Sequence, residues 1–213
     1  MNSGQKRKVL PLIIAGAWLI IIGVGLHLIW AYAATPGNAG TPPSHWPVDS
    51  RVPRSANLPS LVMMVHPQCP CSRASLGELE ILMAKAKGRV QATVLFVKPT
   101  ELPPHWEKTD LWRRAANIPG VTVSTDDGGV EARRFGSYTS GQVMLYDELG
   151  QLLFSGGITS ARGHSGDNAG RNAIASLLLE KATERTKTAV FGCPLFDPTS
   201  DKTLTESCHA HEQ

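Results

Sequence analysis

Hydrophobic and polar positions divide this chain into three kinds of pattern. Residues 9–34 form an apolar run without a formal charge, with Pro11 and His27 its only awkward members. A helix over residues 10–32 would be about 35 Å long at ~1.5 Å per residue, enough to cross a hydrocarbon core of about 30 Å. Residues 35–59 have no apolar periodicity and carry Pro36, Pro42, Pro43, Pro47, Pro53 and Pro59, as an extended, semi-rigid tether does. From residue 58 onward, short apolar runs alternate with helical stripes. Residues 58–65 (LPSLVMMV) read as a strand buried on both faces. Leu76, Leu79, Leu82, Met83 and Ala86 recur at spacings of three and four and predict a helix over 71–87. Residues 90–97 predict a second strand, and 98–105 a loop. Thr109 or Asp110 can cap a helix to about residue 117, with Pro119-Gly120 past its end. A short strand over 121–124 and a short helix over 130–135, stopped by Gly136, follow. Residues 142–146 and 151–155 flank Asp147-Glu148-Leu149-Gly150, which predicts a hairpin. A glycine-rich loop, 156–170, leads into a last helix over 171–187, with Ile174, Leu177 and Leu178 on its buried face. This order predicts an α/β fold: a central mixed sheet with a terminal β-hairpin and helices on both faces.

Composition and charge narrow the setting. Apolar residues make up 42% of the chain, which excludes general disorder. The net charge of +3 is accounted for by Lys6, Arg7 and Lys8; outside them, basic and acidic residues balance at 18 each. A neutral body with 6% aromatic residues excludes a nucleic-acid binder, which needs a basic face. Basic residues on the N-terminal flank of the apolar run hold that end in the cytoplasm, and Trp30 and Tyr32 suit the outer interfacial belt. Ala31-Tyr32-Ala33 also fits a signal-peptide cleavage pattern, but the run exceeds the usual apolar region of about 7–15 residues, which favours an uncleaved anchor. Either way the body is exported to an oxidising compartment. The expected organisation is a cytoplasmic basic flank (1–8), a single-pass transmembrane anchor (9–34), a proline-rich linker (35–57), an extracytoplasmic folded domain (58–188) and a Cys/His-containing C-terminal tail (189–213).

Candidate chemistry gathers where the first strand meets the first helix of the body. His66-Pro67-Gln68-Cys69-Pro70-Cys71-Ser72 places thiols at a helix N-terminus, where partial positive charge and unpaired N–H groups favour the reactive thiolate. Pro70 fits the first helical turn, where its missing N–H costs little. His66 either shapes the turn or stands beside the thiols. If the second hairpin strand runs parallel to the cysteine strand, the glycine-rich loop lies beside Cys69 and Cys71. Arg162 and His164 on that loop then stabilise a thiolate or relay a proton, or else stand in solvent. In the tail, a Cys193–Cys208 disulfide would close a loop of about sixteen residues, worth about 3 kcal/mol. Alternatively Cys193 resolves the Cys69/Cys71 pair, or Cys208, His209 and His211 bind a soft metal. A set drawn from Cys69, Cys71, Cys208, His209 and His211 suits copper or zinc. Asp126-Asp127 reads as a turn before Gly128-Gly129.

On His66-Pro67-Gln68-Cys69-Pro70-Cys71-Ser72-Arg73, Tyr146-Asp147-Glu148-Leu149-Gly150 and Gly156-Gly157-Ile158-Thr159, residues 58–187 resemble the thioredoxin-like superfamily. The anchored, exported layout is similar to the extracytoplasmic thioredoxins and the small RedB group, and the passage 131–150 is similar to the peroxiredoxin-type branch. The resemblance implies a thioredoxin-like fold and a thiol–disulfide oxidoreductase with Cys69 and Cys71 catalytic. It also implies a protein thiol or disulfide as partner, with no cofactor. Two departures stand out. The family separates its cysteines by two residues, whereas only Pro70 lies between these. Aligning on Pro70-Cys71 makes Cys71 the resolving position and puts Gln68 at the nucleophile; aligning on Cys69 puts Ser72 at the resolving position. The family's cis-proline at the hairpin entrance is replaced by Ser137-Tyr138-Thr139-Ser140-Gly141, where the Thr139 or Ser140 hydroxyl can take a polar role. Two further readings on this scaffold are a soft-metal (copper) binding or chaperone protein and a non-catalytic binding module.

Overall fold

The structure, a computed structural model, describes residues 3–180 and 183–196. The chain divides into two compact units after Thr35. In the first, helix α1 spans Ser3–Ala34 with Pro11 inside it. Its 24-residue stretch Pro11–Ala34 is long and apolar enough to cross a membrane. Thr35 Oγ1 donates to Ala31 O at 2.7 Å and closes the last turn.

The second unit is built on one five-stranded sheet. In chain order its elements are β1 (Ser60–Val65), α2 (Pro70–Ala86), β2 (Gln91–Lys98), α3 (Asp110–Ala116), β3 (Val121–Asp127), α4 (Val130–Arg134), β4 (Gln142–Tyr146), β5 (Leu152–Gly157) and α5 (Ala169–Leu179). The spatial order is β3-β2-β1-β4-β5. β1, β2 and β3 are parallel, β4 is antiparallel to β1, and β5 is antiparallel to β4. β1 is central, and all six of its residues are buried. Side chains alternate across a strand: Leu61, Met63 and Val65 pack with Leu76, Leu79 and Leu82 of α2 and Ile174 of α5. Val62 and Met64 face the other way, toward Ala132, Phe135, Met144 and Tyr146.

Three departures from the sequence pattern have physical causes. The last helix ends at Leu179 rather than 187. Beyond residue 183 the chain runs extended beside β5, with Ser155 N donating to Thr186 O at 3.0 Å and Gly157 N to Ala189 O at 3.2 Å. β-branched Thr183, Thr186 and Thr188 favour that extended course. β5 also continues through Gly156-Gly157 instead of ending at 155. A Cβ on Gly156, whose φ is +146°, would stand 2.4 Å from Thr188 O, so glycine is what lets the two segments meet. Finally, the proline-rich segment is extended but laid along the domain. Trp46 N donates to Gly150 O at 2.7 Å, and Leu152 N to Ser44 O at 2.8 Å. The Trp46 ring meets Phe135 and Tyr146 edge-on at 5.1 and 5.2 Å, and Val52 is buried in the same cluster.

Candidate functional site

The polypeptide leaves β1 at the centre of the sheet, turns through residues 66–69 and enters α2. Cys69 N donates to His66 O at 3.1 Å, and Ser72 N donates to Cys69 O at 3.1 Å as the helix begins. Cys69 is the N-cap residue, with extended backbone (φ −84°, ψ 113°), and Pro70 occupies the first turn. An extended N-cap followed by proline is a stable helix start. It sets the Cys69 sulfur beside the first turn of α2, close to Ser72.

Three segments distant in sequence close over this turn. The β4 entrance supplies Ser140, whose Oγ accepts from His66 N at 2.7 Å and lies 2.7 Å from Ser72 Oγ. Gly141 N donates to Met64 O at 2.7 Å, fixing that entrance against β1. No cis peptide bond occurs among the described residues, so Ser140 ties the entrance to the cysteine turn through its hydroxyl. Thr139 is buried and faces the other way, its Oγ1 donating to Asn38 O at 2.6 Å. The loop after β5 brings Arg162 in, donating to Gly192 O and to the Cys71 thiol. Asn168 and Glu78 hold this loop: Asn168 Oδ1 accepts from Ser160 N at 2.7 Å, and Glu78 Oε1 accepts from Gly166 N at 3.0 Å. Glu78 also pairs with Arg171 at 2.5 Å, both side chains buried. Sequence reasoning missed that pair, although a carboxylate on the apolar stripe of α2, four residues before Leu82, signals a buried cation.

The third segment is the start of the tail. Residues 192–196 lie antiparallel to residues 138–140: Ser140 N donates to Cys193 O at 2.8 Å and Leu195 N to Tyr138 O at 2.9 Å. The Cys193 sulfur thereby comes 2.9 Å from the Cys69 sulfur. Cys208, His209 and His211 lie outside the described residues, as does the expected Cys193–Cys208 link. His164 is exposed, and among the described residues its ring makes no hydrogen bond to a sulfur. The His66 ring is edge-on to Trp106 at 5.8 Å, its Nδ1 accepts from Gln68 N at 3.2 Å, and burial lowers its pKa.

The three thiols differ electrostatically. Burial alone would push Cys69 up. Hydrogen bonds from the Cys193 thiol and the Ser72 side chain, joined by the backbone N–H groups of both residues, outweigh burial and hold Cys69 below the ordinary thiol range. Burial raises Cys71, and the neighbouring Cys69 charge raises it further; Arg162 only partly opposes them. Burial, the hydrogen bond to Cys69 and the nearby sulfur charges push Cys193 up to about 12. Cys69 is thus the sulfur favoured as thiolate, and Cys193 the one favoured as thiol. Cys69 is only 1% exposed, whereas Cys193 is half-buried and lines a cavity of about 640 Å³ shared with His66, Arg133 and Phe196. Among the described residues no group of three or more His, Cys, Asp and Glu side chains is arranged to hold a metal ion.

Among solved structures, a hypothetical protein from Sinorhizobium meliloti 1021 is similar over 76% of this chain and 96% of its own, at 18% identity and a TM-score of 0.56. An uncharacterized conserved protein from Geobacillus kaustophilus is similar over 78% of this chain and 94% of its own, at 15% identity and a TM-score of 0.54. A thioredoxin-like protein solved in its oxidized form is similar over 71% of this chain and 97% of its own, at 14% identity and a TM-score of 0.46. No family model matches the chain, and no curated protein matches it. The strand order and directions given above are those of the thioredoxin-like fold, and that is the fold of this chain.

Proposed function

We propose that this protein is a membrane-tethered thiol–disulfide oxidoreductase whose attacking sulfur is Cys69. The observation that carries the reading is the position of Cys69: it caps the N-terminus of α2 and receives hydrogen bonds that hold its pKa below that of a free thiol. The thiolate is the species that attacks a disulfide, and its fraction at neutral pH sets the rate. Attack on a partner disulfide forms a bond from Cys69 to one partner sulfur and releases the other as thiolate. A second thiol of this chain then attacks Cys69, frees the partner and leaves an intramolecular disulfide. Cys71 and Cys193 are both near enough to Cys69 to feel its charge. Helix α1 is the anchor in this reading, with Lys6, Arg7 and Lys8 on the cytoplasmic side and the domain outside.

The test uses the purified full-length chain and oxidised glutathione. The wild-type protein should exchange and Cys69→Ser should not. Equal exchange by both proteins would remove the reading. In intact cells, the full-length chain should fractionate with membranes and its domain should react with a membrane-impermeant thiol reagent.

A further inference from the structure

Resting on that reading, the geometry points to Cys193, rather than Cys71, as the resolving thiol: the redox-active disulfide joins Cys69 at the start of α2 to Cys193 on the strap laid across it. Three independent features converge. Counting from Cys69, the residue one helical turn into α2 is Ser72, which cannot form a disulfide and instead hydrogen-bonds the Cys69 sulfur. Cys71, the neighbour in sequence, is engaged by Arg162. Cys193 faces Cys69 at 2.9 Å and is delivered there by backbone pairing on both sides of it, Ser140 N to Cys193 O and Leu195 N to Tyr138 O. Gly192 makes that delivery possible, since a Cβ there would stand 1.9 Å from Ser140 O.

The strap gives the step an order. Cys69 is buried while the strap is down, so a partner disulfide meets it only when residues 192–196 lift. The Cys69 thiolate attacks one partner sulfur, and the other leaves as thiolate. When the strap returns, Cys193 attacks the Cys69 sulfur. The mixed disulfide breaks, the Cys69–Cys193 bond forms, and the Cys193 proton passes to the thiolates released. Two electrons have then moved from the Cys69/Cys193 pair to the partner, which holds one thiol and one thiolate, the latter taking a second proton from water. The return half consumes a dithiol. One of its thiolates attacks Cys193, the sulfur on the cavity side, and expels Cys69, the lower-pKa leaving group. The dithiol's second sulfur then displaces Cys193, which takes up a proton.

The experiment treats full-length protein in a Cys208→Ser background with oxidised glutathione and maps products by peptide mass spectrometry. The parent and Cys71→Ser should accumulate a Cys69–Cys193 disulfide. Cys193→Ser should instead hold glutathione on Cys69, with the adduct living roughly a hundredfold longer because the intramolecular thiol is gone. Cys71 linked to Cys69 in the parent, or rapid adduct loss in Cys193→Ser with persistence in Cys71→Ser, would overturn the inference while leaving Cys69 as the attacking sulfur. An absence of any adduct or disulfide at Cys69 in all three proteins would overturn the underlying function as well. The parent's peptide map requires no substitution at Cys69, Cys71 or Cys193, so the assignment is testable even if a variant folds poorly.

Discussion

At the scale of single residues, the ionisation of Cys69 depends on hydroxyls whose protons have one consistent direction. Ser140 Oγ accepts from His66 N–H, so its own proton is free to point to Ser72 Oγ, 2.7 Å away. Ser72 is then free to donate to Cys69. The chain ends on Cys69, the sulfur whose pKa is lowered, and hydrogen bonds in series polarise one another. Ser72→Ala removes the last donor, so the Cys69 pKa should rise. A charge-assisted hydrogen bond is worth about 1.5 kcal/mol, which corresponds to roughly a tenfold smaller thiolate-to-thiol ratio below the pKa. Ultraviolet thiolate absorbance, taken as the difference between each protein and its Cys69→Ser counterpart, measures this; an unchanged titration would refute the chain. The sign for stability follows. Because the folded-state pKa of Cys69 lies below the unfolded one, its thiolate adds stability that is complete above the unfolded pKa and is lost as pH falls through the folded pKa. The stability difference between wild type and Ser72→Ala should therefore widen from acid to alkaline pH across that window. Ser72 was legible beforehand as one candidate for the resolving position. Its link to Ser140 was not, because the β1–β4 pairing brings together residues 68 apart in sequence.

At the scale of elements, legibility tracked periodicity. α2 announces itself through apolar positions at spacings of three and four, and its extent, Pro70–Ala86, differs from the expected one by a single residue at each end. β1 and β4 are continuous apolar runs because both faces of the central sheet are covered. α5 carries the same kind of stripe, yet it stops at Leu179, since the residues after it pair with β5 instead of extending the helix. The strap at 192–196 has no period to read: its place is set by two backbone hydrogen bonds, by Arg162 donating to Gly192 O, by Phe196 packing against Arg133 and Tyr138, and by burial of Leu195, which joins the second core cluster. A short segment outside the sheet, with few residues to release, opens at lower cost than the core. This makes Gly192 a sensitive position. Gly192→Ala should push the strap off the β4 entrance without touching a sulfur. The Cys69 pKa should rise as the Cys193 donor withdraws, and the Cys69–glutathione adduct should persist longer than in wild type although all its thiols remain. An adduct lifetime equal to the wild type would show that strap docking does not control resolution.

At the scale of the whole molecule, the segment that leads from α1 is part of the domain it was expected only to tether. Proline-rich backbone is extended whether it is docked or free, so its composition could not reveal the docking. The informative residues were Trp46 and Val52, two isolated apolar side chains whose partners Phe135 and Tyr146 lie far along the sequence. The same segment reaches the candidate site. Gly37 N donates to Val190 O at 2.8 Å just before the strap, and Asn38 O accepts from Thr139 beside Ser140. One stretch of chain thus covers the second face of the sheet and braces both segments that flank Cys69. A chain begun at residue 58 should therefore lose more than a flexible linker. Trp46 is half-buried, so losing it alone should cost somewhat less than a fully buried Trp→Ala change, which costs about 3–5 kcal/mol. Urea unfolding should place the domain begun at residue 58 well below the one begun at residue 36, and Trp46→Ala in the longer chain should reproduce much of the deficit. The shorter domain should also resolve the glutathione adduct more slowly, because the Gly37 tie that positions the strap is missing. Equal midpoints and equal adduct lifetimes for the two lengths would reduce the segment to a tether that happens to lie against the domain.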